Sequence, residues 1–363
     1  MGVRSKMEEL VPFTLMVIME GCTIGLTVLA KTAMNGGMSP FVFVVYTNAL
    51  GSIILLPYSF FYHRERIEQP LFTLPLMLRF FFMGLTGVAI SQNLAFFGLY
   101  YSSPIVVCVM GLLIPAISFM LSIITRTTKL DWSNPSSQVT IIGTLISIMG
   151  AIFVEVYKGP FIRKASAAQL QGQKPPLFIF YSTPDRWVLG GILLAASFLS
   201  VSVWNIIQVG TIKLYPQVMK VVSFYSLAGT IQCTIFSLIM ERDINAWKLK
   251  LNFELLLIIA TAIFGSVIRT TVHVSCAQMK GPLYVPMFKP FGIVFATTFG
   301  VTFFTNALHY GSVIGAVVTG MGYYTVMWGN IRDDELRKTK THDINRVESS
   351  DEKVPLLQEE SEV

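Results

Sequence analysis

The sequence predicts an all-α membrane protein of ten transmembrane helices, arranged as two inverted five-helix repeats. Three observations carry this expectation. Ten separate apolar stretches, each near bilayer length, fill the chain from Val11 to Gly329. Of the 363 residues, 53% are hydrophobic and only 13% charged, with a mean hydropathy of +0.61. Landmarks in the first five stretches recur, in order, in the last five.

The stretches read as helices because lipid offers no hydrogen bonds, so each span must satisfy its own backbone. Roughly 20 apolar residues at 1.5 Å rise cross the hydrocarbon. A soluble domain carries about a quarter charged residues, which excludes that class at 13%. The net charge of +6 sits mainly in short loops and the tail. It therefore reads as membrane topology rather than nucleic-acid binding. Cys22, Cys108, Cys233 and Cys276 all fall inside apolar stretches and form neither a disulfide framework nor a metal cluster by spacing. No cofactor or metal is expected. Paired carboxylates, His-Glu-x-x-His, phosphate loops and nucleophile constellations are missing from the spans, which argues against an enzyme.

The expected spans are 11–33, 40–62, 76–100, 104–125, 138–157, 187–210, 217–240, 254–277, 283–305 and 309–329. The first follows a short polar segment and lacks a cleavage signature, so it is retained rather than removed as a signal. Only Tyr101-Ser102-Ser103 separates the third from the fourth, but Pro104 suits a helix start because a first-turn residue needs no donor. The organisation is then 1–10 as an N-terminal segment, 11–157 as the first repeat, 158–186 as a connecting loop, 187–329 as the second repeat and 330–363 as a tail. The tail is charged and poor in aromatics, the composition of a disordered segment. Within it, Glu352, Leu356 and Leu357 fit an acidic dileucine sorting signal, a receptor-read address. Lys and Arg favour both termini on the cytosolic side, by the positive-inside rule. The expected location is the plasma membrane, with the vacuolar and endoplasmic reticulum membranes as alternatives.

The repeat is visible in the punctuation. Pro40 and Pro216 open the second and seventh spans, 216 − 40 = 176 apart. Pro104 and Pro282 open the fourth and ninth, 282 − 104 = 178 apart. Each of those two spans holds an internal proline, Pro115 in one and Pro286 or Pro290 in the other. Pro115 and Pro290 are the candidate hinges. Gly143 and Gly150 in the fifth span match Gly315 and Gly322 in the tenth. Five is odd, so the second copy crosses the membrane upside down, the arrangement of carriers that open a midplane site alternately to each side.

The residues also carry a family resemblance. Lys31 to Tyr46 with Gly37-Met38-Ser39-Pro40, Ser91-Gln92-Asn93-Leu94-Ala95-Phe96-Phe97-Gly98-Leu99, Glu241-Arg242-Asp243 with Ala246-Trp247-Lys248, and Gly281-Pro282 running on to Met287-Phe288-Lys289-Pro290 resemble the plant drug/metabolite transporters with EamA-like domains. The most similar branch is the walls-are-thin-related, nodulin-like group, also called UMAMIT transporters. The resemblance implies the drug/metabolite transporter fold. It also implies a carrier of amino acids or auxin-like compounds, exporting or facilitating in both directions. The chain departs from the group at Tyr46-Thr47-Asn48, where many relatives have a basic residue, and at Glu20, where an uncharged polar residue is commoner.

Charge near the bilayer centre costs roughly 2.5–3.5 kcal/mol and normally faces a cavity or a partner. Glu20, Arg269, His273 and Lys289 meet that description. Lys289 precedes Pro290, whose missing donor frees polar backbone beside the ammonium, and is the candidate receiver of a substrate carboxylate. Glu20 is a candidate for the ammonium, for a proton, or for an ion pair with Lys289 or Arg269. Arg269 and His273 share one helix face. Gln92, Asn93, Asn48, Trp204, Asn205 and Gln208 need partners inside the protein. Of these, Gln92, Asn93, Asn48, Trp204 and Gln208 are candidate substrate contacts, with Lys289, Glu20 and Arg269. The expected partners are the bilayer and a small solute, an amino acid or related organic acid, with protons and a second copy of the chain as further candidates. A channel and a non-transporting membrane scaffold remain the alternatives.

Overall fold

In the computed structural model the described residues are 3–62, 73–125, 135–157, 187–249, 252–281, 283–303 and 310–351. They form helices α1 (Val3–Asn35), α2 (Pro40–Tyr62), α3 (Leu74–Gly84), α4 (Ser91–Tyr101), α5 (Pro104–Gly111), α6 (Ile114–Ile124), α7 (Pro135–Val156), α8 (Trp187–Leu214), α9 (Val218–Met240), α10 (Phe253–Ile263), α11 (Arg269–Lys280), α12 (Phe291–Phe303) and α13 (Tyr310–Asp351). No strand occurs among the described residues.

Several of these helices join end to end. π-helical turns at Leu85–Ile90 and Phe264–Ile268 fuse α3 to α4 and α10 to α11, giving continuous spans Leu74–Tyr101 and Phe253–Lys280. α5 and α6 make one span, Pro104–Ile124, interrupted by a turn at Leu112 and Leu113. A similar turn at Lys289 and Pro290 precedes α12. The interruptions correspond: 264 − 85 = 179 and 268 − 90 = 178 for the π turns, 289 − 112 = 177 and 290 − 113 = 177 for the tight turns.

Eight helical spans among the described residues are long and apolar enough to cross a membrane, from Leu10–Asn35 to Phe253–Lys280. The ninth and tenth expected spans do not meet that measure. The described part of α12 has 13 residues and begins after the turn at Lys289 and Pro290. α13 is long, but its membrane-length portion is rich in Gly, Ser, Thr and Tyr, which lowers its apolarity. Gly315, Thr319, Gly322 and Thr325 serve packing against α7 instead. The expectation of disorder after Gly329 also differs from the structure, for α13 continues to Asp351. Its Arg, Glu, Leu and Lys residues are good helix formers. Glu352, Leu356 and Leu357 lie outside the described residues.

Proline and glycine set the boundaries. α2 and α5 begin on Pro40 and Pro104. Positive φ occurs at Gly37 (107°), in the turn before α2, and at Gly281 (97°), which ends α11; a Cβ would be strained at both. Ser102, extended at φ −121°, separates α4 from α5 as the sequence required.

Neighbouring helices are tied by close backbone approach and hydroxyl bonds, since lipid gives apolar association little drive. α7 packs along α13, α2 along α9, α5 along α12, α4 along α8 and α1 along α12. At the α7–α13 crossing a Cβ on Gly322 would lie 2.5 Å from Ser147 N, and one on Gly143 2.8 Å from Val326 N. Ser136 Oγ closes the end of this seam by donating to the Gly329 carbonyl at 2.7 Å. Ser52 bonds Ser226 and Thr230 at 3.0 and 2.8 Å between α2 and α9. Ser197 donates to the Ser91 carbonyl at 2.7 Å between α8 and α4. Large apolar side chains such as Phe61, Ile124 and Met149 remain exposed, as a lipid-facing surface requires.

The glycine seam gives a direct test. Gly143→Leu and Gly322→Leu should each lower stability by about 1–3 kcal/mol through overpacking, read as an earlier thermal transition in detergent. An exposed control, Met149→Leu, should leave the transition where it is.

Candidate functional site

The helix interruptions gather around a cavity. Both π turns, with Gly87 and Val88 in one and Phe264, Gly265 and Ser266 in the other, form part of its wall. α1, α2, α4, α8, α9, α10 and α11 supply the rest of the lining of a cavity of about 410 Å³. That is the size of a small-molecule site.

Its polar lining is unevenly charged. Asn48 from α2 and Gln92 from α4 meet, Asn48 Nδ2 donating to Gln92 Oε1 at 2.6 Å. Trp204 on α8 and Tyr225 on α9 form an edge-to-face pair 5.8 Å apart. Gly87 leaves the room this indole needs, since a Cβ there would overlap the Trp204 ring. Trp204 Nε1 is buried without a hydrogen-bond partner, as is Thr261 Oγ1. Arg269, the first residue of α11, contributes a half-buried guanidinium. Among the described residues no carboxylate pairs with it, and no Asp or Glu lines the cavity.

Of the residues singled out in the sequence, Asn48, Gln92, Trp204 and Arg269 are brought together in this lining. Glu20 and Lys289 meet each other instead. Lys289 Nζ lies 2.9 Å from Glu20 Oε1, with the lysine side chain 39% exposed and the glutamate 4%. Glu20 precedes the cavity-lining Thr23 by three residues, hence by about one turn on the same face of α1. His273, four residues beyond Arg269, has a buried Nε2 without a partner. Asn93 turns away: its amide donates to the Ala89 carbonyl at 2.7 Å and to Cys233 Sγ at 3.1 Å, and Ser237 donates to its oxygen at 3.3 Å. Asn205 and Gln208 are half-buried on α8 and outside the lining. Pro115 is the second residue of α6, directly after the turn at Leu112 and Leu113, and Pro290 is the last residue before α12.

Sequence reasoning passed over Thr23, Thr27, Tyr225, Ser226, Ser266 and Thr270, all of which line the cavity. Their hydroxyl groups carried no distinguishing signal, because Ser and Thr inside helices routinely bond a carbonyl one turn back. Ser266 does so with Ala262 at 2.6 Å. Thr270 reaches five residues back, to the Gly265 carbonyl at 3.1 Å, as the wider π turn demands. Lys31, which opens one of the segments that carry the resemblance, is 3% exposed. Its ammonium donates to the Tyr100 carbonyl at 2.6 Å and lies 5.7 Å from the Tyr100 ring.

Comparison with known proteins accords with this arrangement. The EamA-like transporter family matches residues 14–156. A WAT1-related protein of Arabidopsis thaliana is 58% identical over 375 residues, covering 100% of both chains. A second one from the same plant is 53% identical, covering 97% of this chain and 96% of its own. The chain belongs to the WAT1-related family. This places it among EamA-like membrane transporters and makes it a multi-pass integral membrane protein. A solved crystal structure aligns with a TM-score of 0.52 at 16% identity, over 88% of this chain and 96% of the other; that likeness concerns the fold alone. In this WAT1-related chain, Gln92 and Lys289 both sit inside the segments that carried the resemblance.

The Glu20–Lys289 pair should behave as one unit. Glu20→Gln or Lys289→Met alone leaves a charge without its partner, whereas the double variant removes both. A double-mutant cycle of thermal transitions in detergent should give a coupling of about 0.5–3 kcal/mol, the range for contacting residues. Additive single effects would show that the two side chains do not stabilise the bundle together.

Proposed function

We propose that the protein is a secondary transporter of amino acids that works by alternating access between two inverted five-helix halves. The observation that carries the substrate reading is Arg269, a half-buried guanidinium without a carboxylate partner, among the described residues, in a partly open and partly aromatic cavity. Keeping an uncompensated cation there is costly, and a substrate carboxylate offsets that cost with a charge-assisted, bidentate contact. The hydroxyl oxygens of Thr23 and Thr27 line the cavity and retain lone pairs for an ammonium.

Several features support ten spans in two halves. Counting α3–α4, α5–α6 and α10–α11 as single spans, and α12 and α13 as the ninth and tenth, the packed pairs exchange under a shift of five. Second with seventh, fourth with ninth and fifth with tenth map onto themselves. Third with sixth maps onto eighth with first, and first with ninth onto sixth with fourth. The π turns and tight turns recur at 177 to 179 residues, a spacing that accords with duplication. The family match at 14–156 spans the proposed first half.

Pro115 and Pro290 stand at the paired breaks and serve as hinges in this reading. The Glu20–Lys289 bridge joins α1 to the break before α12. Its opening when Glu20 takes a proton would couple transport to a proton gradient. Both termini on the cytosolic side of the plasma membrane accord with the basic residues of the short loops. A second reading, an auxin-like organic acid, draws on the lack of Asp and Glu in the cavity lining, since a monoanion needs no ammonium site.

Labelled amino acids in vesicles reconstituted with the full chain provide the test. Saturable flux accelerated by unlabelled amino acid on the opposite side is the expected result. Linear, unsaturated flux would replace the carrier by a channel, and competition by aromatic organic acids alone would favour the second reading. Arg269→Ala should reduce flux at least about tenfold with insertion intact, because a hydrogen bond to a charged group contributes about 1.5–3 kcal/mol. Unchanged flux removes Arg269 from the site. Glu20→Gln should flatten the pH dependence of flux, and a full pH response in that variant removes the proton role.

A further inference from the structure

The orientation of the amide pair is fixed by its neighbours. Asn48 Nδ2 donates to the Val44 carbonyl at 2.8 Å as well as to Gln92 Oε1 at 2.6 Å. A carbonyl only accepts, so the Asn48 atom facing Val44 is the nitrogen. Its second hydrogen then requires the oxygen of Gln92 opposite it. Both donors of Asn48 are thus engaged, together with the oxygen of Gln92. Asn48 Oδ1 and the Gln92 Nε2 amino group are left, and among the described residues neither has a hydrogen-bond partner. Both side chains line the cavity, and neither atom is sealed from it.

A neighbouring acceptor and donor complement a primary carboxamide, whose N–H donates to Asn48 Oδ1 while its C=O accepts from Gln92 Nε2. An ammonium would use only the acceptor and a carboxylate only the donor. An alkyl group would leave both polar atoms desolvated and unpaired, the costly outcome.

We propose that the Asn48–Gln92 pair is the side-chain pocket of the transport site and selects amino acids whose side chain ends in a carboxamide. The proposal rests on the amino acid reading above, in which Arg269 holds the carboxylate. The spacing of the two subsites suits such a solute. α2 and α10–α11 run side by side in the same direction: Phe43 clusters with Ile258, Gly51 abuts Ser266 and Tyr58 bonds Thr271 at 3.2 Å. Asn48 is three residues before Gly51 and Arg269 three after Ser266, which makes six residues of helical rise, about 9 Å. Arg269 and Gln92 both line the cavity, so an amino acid held between them extends across a gap of that order.

Counterflow in liposomes reconstituted with the full chain tests this, using labelled glutamine, norleucine, glutamate and lysine at equal concentration. Glutamine flux should exceed that of norleucine and glutamate at least about tenfold, because a site built to hydrogen-bond a group discriminates strongly against analogues lacking it. Gln92→Glu replaces the donor by an acceptor and should move the glutamine-to-lysine flux ratio at least about tenfold towards lysine. Gln92→Met removes the pair's free donor at similar volume and should bring glutamine down to the level of norleucine. Equal wild-type fluxes of glutamine and norleucine, or a Gln92→Glu protein with the wild-type ratio, overturn the carboxamide pocket while leaving amino acid transport standing. Absence of flux for every amino acid overturns the transport reading, and the pocket with it.

Discussion

Backbone hydrogen bonding in lipid is the constraint on which the rest of this structure depends. A chain surrounded by hydrocarbon must be helical wherever it faces lipid, and can leave the regular ladder only where protein or a cavity receives the freed groups. The departures here are few and placed together. The two π turns form part of the cavity wall, and Ser91 and Thr270 satisfy nearby carbonyls of Gly87 and Gly265 at 2.6 and 3.1 Å. The tight turns at Leu112–Leu113 and Lys289–Pro290 interrupt spans that pack on each other. The irregular backbone thus surrounds or adjoins the polar centre, and the outer surface keeps regular helices with apolar side chains.

Within that frame the two central cations have different circumstances. Lys289 is matched by Glu20, which neutralises both charges and ties α1 to the chain before α12. Arg269 has no such match among the described residues and shares the cavity lining with Trp204 and Tyr225. A pair joining two segments is suited to holding or releasing them. An unmatched, half-buried guanidinium in a cavity is suited to receiving an anion. The difference does not follow from residue type, since the sequence presents both as mid-span cations.

The sequence made most of the helices legible. Apolar length marked the spans, and Pro40 and Pro104 marked the starts of α2 and α5. Ser102 and Ser103 separated α4 from α5 despite the short spacing. The ninth and tenth spans were less secure. Lys289 and Pro290 break the helix before α12, and the small residues of α13 serve its seam with α7. Of the site, the amides and large polar residues were visible because they are conspicuous in apolar sequence. Thr23, Thr27, Ser226 and Ser266 were not, for a hydroxyl bonding its own helix looks the same on any face.

Sequence alone determined that the protein is helical and membrane-embedded, because hydropathy and length act locally and need no knowledge of neighbours. It also displayed the recurring prolines and glycines. Only the tertiary structure decided which polar residues meet: Glu20 with Lys289 rather than Arg269, Asn93 with Cys233 rather than the cavity, and Asn48 with Gln92. Those choices depend on the rotation of each helix about its axis. That rotation is set by close crossings such as Gly143 against Gly322 and Gly84 against Gly229, contacts between segments far apart in the chain.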